Sequence, residues 1–250
     1  MIDVKNIFVS YGKTEVLHGV SFSFEKGKLT SVIGKNGSGK STLLKSMLGI
    51  IPCKHGEIYI DGVNRSSMKR NAVAKKISYL EQGRTAPDMT VGEMVLHGRY
   101  PYLEYPKGYT EKDREKAFSA MEKMGISELG KTPVSVLSYG MRQKAYIAMA
   151  LAQETDYILL DEPTAYLDIE HQLLLMKLLR ELADSGKGVV AVIHDLPLAL
   201  SFSDAVAVIS DGKKEIFDVP QKVCESKSLE KIFGVSVCFE NGKYSYRYGV

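Results

Sequence analysis

The sequence predicts an α/β protein in which a largely parallel sheet is interrupted by a helical insertion. Three observations predict it. β-rich and helical segments alternate along most of the 250 residues, a glycine-rich loop stands between a strand and a helix, and residues 86–155 turn helical before strand character returns. Alternation of this kind implies right-handed crossovers between parallel strands.

Taken in order, residues 2–9 and 20–25 read as strands around the turn-like Tyr11-Gly12-Lys13. Leu29 to Ile33 is a short β-rich run that stops at Gly34. From Lys40 the period changes: Leu43, Leu44, Met47 and Leu48 share one helical face, and Gly49 closes it. Gly56 to Ile60 is again sheet-like and ends at Asp61-Gly62. Thr110 and Asp113 form a capping box before Ala117, Phe118, Met121 and Met124, with Gly125 as the stop. A further helix starts at Ser138 and runs through Ala145, Ala148, Met149 and Ala152. Strands return at Tyr157 and Val189, separated by a helix from about Glu170 to Asp184. Val206 to Ile209 and Glu215 to Phe217 flank the turn Asp211-Gly212, and Asn241-Gly242 marks another hairpin.

Composition narrows the function. With 33 basic against 30 acidic side chains the net charge is +3, too mild for nucleic acid as the main partner. No run approaches the ~18 apolar residues of a membrane span. Cys53, Cys224 and Cys238 make no Cys-x-x-Cys pair, which fits idle thiols in a reducing compartment. A soluble, cytoplasmic protein is expected.

Gly34-Lys35-Asn36-Gly37-Ser38-Gly39-Lys40-Ser41-Thr42 fits G-x-x-x-x-G-K-[ST] between strand and helix. Glycines let backbone N–H groups converge on phosphate oxygens, and the helix that follows points its positive end at the same anion. Lys40 supplies a point charge for the β- and γ-phosphates, and the Ser41 hydroxyl can ligate Mg²⁺. Downstream, Tyr157-Ile158-Leu159-Leu160-Asp161-Glu162 is a buried strand ending in two carboxylates, placed where an open sheet presents ligand-binding groups. Asp161 suits Mg²⁺; Glu162 suits the orientation or deprotonation of an attacking water.

Leu137-Ser138-Tyr139-Gly140-Met141-Arg142-Gln143 resembles the signature motif of ATP-binding-cassette proteins, usually Leu-Ser-Gly-Gly-Gln. Tyr139 replaces a glycine and Met141 the glutamine, while Ser138 and Gly140 are kept. The resemblance covers essentially the whole chain. It implies a P-loop NTPase (RecA-like) core, here about 1–85 and 156–250, with an N-terminal antiparallel β subdomain and an inserted α-helical subdomain at about 86–155. It also implies that Ser138 and Gly140 meet the ATP of a second copy, two cassettes closing head to tail around two nucleotides. Weaker closure is expected from the change at Met141, which loses a polar side chain and half a capping box.

Further positions follow the family's order. Gln82 resembles the Q-loop glutamine that contacts Mg²⁺, although Glu81 stands where a proline is usual. Asp168 in Ala165-Tyr166-Leu167-Asp168 resembles the D-loop aspartate that meets the partner. His194 resembles the switch histidine on the γ-phosphate, and Tyr11 the aromatic that stacks on adenine; an ordinary surface tyrosine is the alternative there. The implied activity is ATP hydrolysis with Mg²⁺, driving a transmembrane permease from the cytoplasmic face of the membrane, with an extracytoplasmic solute-binding protein completing the system. Thr90 to Pro101 and Leu167-Asp168-Ile169-Glu170-His171-Gln172 look like the importers of iron chelates, haem or cobalamin, although a histidine is usual at Tyr166. The competing readings are a soluble ABC ATPase of the iron–sulfur assembly type and an ABC subunit for another substrate. Four tyrosines between Gly98 and Tyr109 either dock on the permease or cover the subdomain's own core.

Overall fold

The computed structural model describes residues 1–81, 83, 86–104 and 108–247. Gln82 and Tyr105, both singled out by sequence, lie outside the described residues.

The first glycine turn makes a longer hairpin than its flanking patterns suggest. β1 (Ile2–Tyr11) and β2 (Thr14–Phe24) pair antiparallel through Tyr11↔Thr14. β4 (His55–Ile60) lies along the other edge of β1 and is followed by β5 (Val63–Asn64), giving a four-stranded antiparallel sheet in the order β2-β1-β4-β5. Between these strands come β3 (Leu29–Ile33) and α1 (Lys40–Leu48), and Gly49 ends α1 in the left-handed conformation that favours glycine. α2 (Arg70–Ala74) precedes β6 (Ile77–Leu80). Its five residues are too few to leave a periodic signal.

The helical stretch holds α3 (Val91–His97), α4 (Glu111–Lys123) and α5 (Tyr139–Ala152). The predicted capping box is present at α4: Thr110 Oγ1 accepts from the Asp113 N–H while the Asp113 carboxylate accepts from the Thr110 N–H. α3 carries a second box, between Thr90 and Glu93. Buried Arg99 ties the three helices together, donating to Asp113 Oδ1 at 3.0 Å and to the Ala152 carbonyl at 2.9 Å. In the tyrosine-rich loop, Tyr102 fits the reading in which a ring covers the subdomain itself. Tyr102 donates its hydroxyl to the Gln153 carbonyl, and the Arg99 guanidinium lies 4.0 Å from its ring centre, so that ring covers the protein itself. Tyr100 is 58% exposed.

The chain then builds β7 (Tyr157–Leu160), α6 (Ile169–Asp184), β8 (Gly188–Val192), α7 (Leu196–Phe202), β9 (Ala205–Ser210) and β10 (Lys213–Asp218). It ends with α8 (Pro220–Glu225), α9 (Ser228–Phe233) and the hairpin β11 (Ser236–Glu240)–β12 (Lys243–Arg247). The main sheet runs β10-β9-β3-β8-β7-β6, parallel except for β10. Both of its faces are buried, which is why its strands read as continuous apolar runs. Alternation distributes them: Ile158, Leu160, Val189, Ala191 and Ile193 join the core shared with α3 to α6, whereas Tyr157, Leu159, Val190 and Val192 join the core under β1, β2, β4 and α1. Because β3, β8 and β7 are adjacent and parallel, their carboxyl ends open on one side of the sheet. Among the described residues, no helix is long and apolar enough to cross a membrane.

Candidate nucleotide site

The loop after β3 is shaped around two glycines. A Cβ at Gly34 would stand 2.3 Å from the Ile209 carbonyl oxygen and 2.5 Å from Ser38 Oγ. Gly39, the last residue before α1, has φ +102°, a conformation that L side chains rarely adopt, and no side chain caps the helix it precedes. The first N–H groups of α1 are therefore offered to a ligand rather than to the chain. Lys40 is buried, and its Nζ donates to the Gly34 carbonyl at 2.8 Å and the Lys35 carbonyl at 2.9 Å. An ammonium has three donors, so one is left for a phosphate oxygen. Burial pulls the Lys40 pKa down against the opposing charges of Glu162 and Asp161. Ser38 Oγ is buried with no hydrogen-bond partner among the described residues. A buried hydroxyl without a partner among the described residues and a helix start with no side-chain cap fit a polyanion, and the loop borders a cleft of about 490 Å³ lined by Val16, Asn36, Lys40, Ser41 and Glu162.

The carboxylates arrive from β7. Ser41 Oγ donates to Asp161 Oδ1 at 3.0 Å, and the Tyr79 hydroxyl donates to Asp161 Oδ2 at 3.3 Å. Burial raises the Asp161 pKa, with Glu162 adding to the rise and the two hydroxyls resisting it. Two hard oxygen donors side by side fit Mg²⁺. Glu162 takes φ +52°, an uncommon backbone for a non-glycine residue. His194, directly beyond β8, brings its Nε2 to 2.8 Å from Glu162 Oε1. The one of five histidines picked by position thus meets the second carboxylate.

Residues 17–165 match the family described as "ABC transporter". The chain belongs to the ABC transporter family. It is 38% identical to the petrobactin import ATP-binding protein FpuD of Bacillus anthracis, with 97% of this chain and 94% of that one covered. It is 37% identical to the ferric enterobactin transport ATP-binding protein FepC of Escherichia coli (strain K12), covering 92% and 86%. Among solved structures, the dimeric bacterial ABC transporter cassette MJ0796 aligns with a TM-score of 0.78 and 28% identity, covering 88% of this chain and 99% of that chain. The P-loop NTPase fold read from the sequence is borne out. As an ABC ATP-binding protein the chain binds and hydrolyses ATP.

Not every candidate of this ABC cassette comes to the cleft. Asn36, Gly37, Gly39 to Thr42 and Glu162 line it, Asp161 joins them through Ser41 and His194 through Glu162. Tyr11 ends β1 with half its surface exposed, close enough to act on the charge of Lys45 in α1 but outside the cleft lining, where Val16 of β2 stands instead. Ser138 and Gly140 are likewise absent from that lining. Ser138 Oγ caps α5 by accepting from the Met141 N–H at 3.3 Å. Asp168 caps α6, accepting from the His171 N–H at 2.9 Å, which lowers its pKa. The sequence missed Tyr79, whose approach to Asp161 comes from the pairing of β6 with β7, and the 2.6 Å ion pair of Lys45 with Glu81.

Proposed function

We propose that this chain energises the import of an iron(III)–siderophore type of substrate, working as a head-to-tail pair on the cytoplasmic face of a membrane permease. Relatives that match nearly the whole chain at 37–38% identity are named for petrobactin import and ferric enterobactin transport. These relatives do not favour the soluble iron–sulfur assembly alternative. A solute-binding protein would deliver the chelate outside the membrane.

In this reading the Gly34–Thr42 loop wraps the phosphates with its N–H groups, and the third Lys40 donor holds the γ-phosphate. Ser41, Asp161 and Gln82 would hold Mg²⁺, which neutralises charge on the phosphate oxygens. Glu162 orients and deprotonates the attacking water, and His194 holds that carboxylate at 2.8 Å while its ring faces the γ-phosphate. This Glu162–His194 contact, at the mouth of the glycine cleft, is the observation that carries hydrolysis rather than mere nucleotide binding. Tyr11 would border the adenine.

The pairing is supported by Gly140. A Cβ there would meet nothing within 4 Å, so none of the described residues of its own chain requires glycine inside the first turn of α5. Glycine costs a helix about 1 kcal/mol relative to alanine, and close approach by a second copy's nucleotide accounts for it. Ser138, Gly140 and Asp168 then belong to the partner's site. ATP favours the closed pair because the α5 start gains its phosphate only in that state, and hydrolysis releases it. The helical insertion at about 86–155 would carry the motion to the permease. Glu162→Gln should lower kcat by at least about 100-fold while keeping ATP affinity within a few-fold, and should elute as an ATP-dependent dimer on gel filtration. Turnover close to the parent's would remove Glu162 from this role.

A further inference from the structure

α5 is capped by Ser138 and begins with Tyr139 and Gly140, so a large ring sits between the two residues read above as facing a second copy's nucleotide. That ring is held by its own chain. The Tyr139 and Tyr166 ring centres lie 5.4 Å apart with planes at 69°, an edge-to-face pair, and the Arg142 guanidinium lies 5.5 Å over the Tyr139 ring. Gln143 Nε2 donates to the Pro163 carbonyl at 3.1 Å, so the first turns of α5 are fastened twice to the turn that follows Glu162. Tyr139, Arg142 and Gln143 also line a small cavity with Asp161 and Glu162.

Tyr166 pays for its place. Its φ is +60°, a region where an aromatic residue is a genuine outlier and asparagine or glycine is at ease. Its side chain gains little burial in return, since the residue is 80% exposed. What the strained backbone does achieve is the contact with Tyr139.

We propose that Tyr166 clasps the Tyr139 ring against its own chain and so keeps the Ser138–Gly140 edge of α5 clear for the nucleotide bound by a second copy. The two tyrosines are positioning residues; neither touches the reacting atoms. The inference rests on the reading that α5 meets that nucleotide. Without Tyr166, the Tyr139 ring is free to turn over the edge it now leaves open. Without both rings, the obstruction is gone.

The prediction is therefore one of reversed sign in a double-mutant cycle. Tyr166→Asn, which suits the left-handed backbone, should raise the ATP concentration for half-maximal hydrolysis about fivefold, the scale of one aromatic pair. Its kcat should stay within twofold and its thermal midpoint should not fall. Tyr139→Gly added to Tyr166→Asn should bring the half-saturation back to within twofold of the parent, and Tyr166→Phe, which keeps the ring, should behave as the parent does. A Tyr166→Asn half-saturation that is unchanged or lower overturns the clasp, as does a defect that Tyr139→Gly fails to reverse. The same cycle run in the Glu162→Gln background separates the two claims. If Glu162→Gln forms no ATP-dependent dimer, the pairing and the clasp fall together. If it dimerises, and Tyr166→Asn requires no more ATP for dimerisation, only the clasp falls.

Discussion

Two helix starts in this molecule are assigned to phosphate in the proposed function, and they are built in opposite ways. α1 opens from Gly39 at φ +102° with no side-chain cap, its first residue is a buried lysine, and the Ser38 hydroxyl beside it has no partner among the described residues. α5 opens from Ser138, whose own oxygen already accepts from the Met141 N–H, on a turn tied to the neighbouring loop through Gln143 and Tyr139. The first start leaves its donors uncommitted, so the cost of an unfilled site is permanent and the anion is held strongly. The second is satisfied without a ligand and gives up little when the ligand leaves. The proposed cycle would use this asymmetry: one grip that keeps the nucleotide on its own chain, and one that is made and released with each turnover.

The contrast breaks most sharply at Gly39. Gly39→Ala forces a β-carbon to 2.5 Å from Leu17 Cδ2 at a backbone angle that suits only glycine. Strain or displacement of about 2–3 kcal/mol should weaken nucleotide binding to the isolated chain by about 30- to 150-fold, measured by calorimetry. Ser138→Ala should do something different. Nucleotide affinity of the single chain should stay within twofold, while ATP hydrolysis falls about tenfold, the worth of one hydrogen bond to a charged group. If Ser138→Ala weakens binding to the single chain as much as Gly39→Ala does, the two starts serve one site and the asymmetry is lost.

How much of this could be read in advance depends on the range of the interaction. The glycine loop, the acidic pair, the capping box at Thr110 and the hairpin turns at Gly12, Gly212 and Gly242 are encoded within a few residues, and each is where local chemistry puts it. α2, α8 and α9 left no signal because five or six residues are too few for a helical period. Contacts between strands were invisible for another reason. Tyr79 reaches Asp161, and His194 reaches Glu162, only because β6, β7 and β8 lie side by side in one sheet. The left-handed backbones at Glu162 and Tyr166 belong to residue types that carry no such preference, so nothing in their identity announces them.

A third region touches neither start, and it calibrates the comparison. Asp61, in the turn after β4, accepts from the Met1 amino group at 3.0 Å, Lys76 at 3.0 Å and the Tyr157 hydroxyl at 2.7 Å, and Lys26 is within 3.3 Å. Lys26 and Lys76 also reach Asp156, so a single cluster fastens the antiparallel sheet to β6 and β7 at the end away from the cleft. Burial pushes the Asp61 carboxyl up, but the Tyr157 hydroxyl, the amino terminus and Lys76 outweigh it and hold the pKa well below the usual 3.8. A carboxylate depressed on folding stabilises the fold above its unfolded pKa and loses that contribution as pH falls through the folded value. Asp61→Asn keeps the left-handed turn, which asparagine tolerates, and should cost about 2 kcal/mol of unfolding free energy at pH 7 by urea titration. The gap between variant and parent should narrow as pH falls below about 4. Nucleotide affinity and kcat should match the parent's at neutral pH, because nothing in the cluster reaches the cleft. A pH-independent gap would mean that Asp61 acts through shape rather than charge. A loss of ATP turnover at full folding would mean that the two ends of the sheet are mechanically joined, and that the effect of Gly39→Ala could no longer be assigned to its own turn.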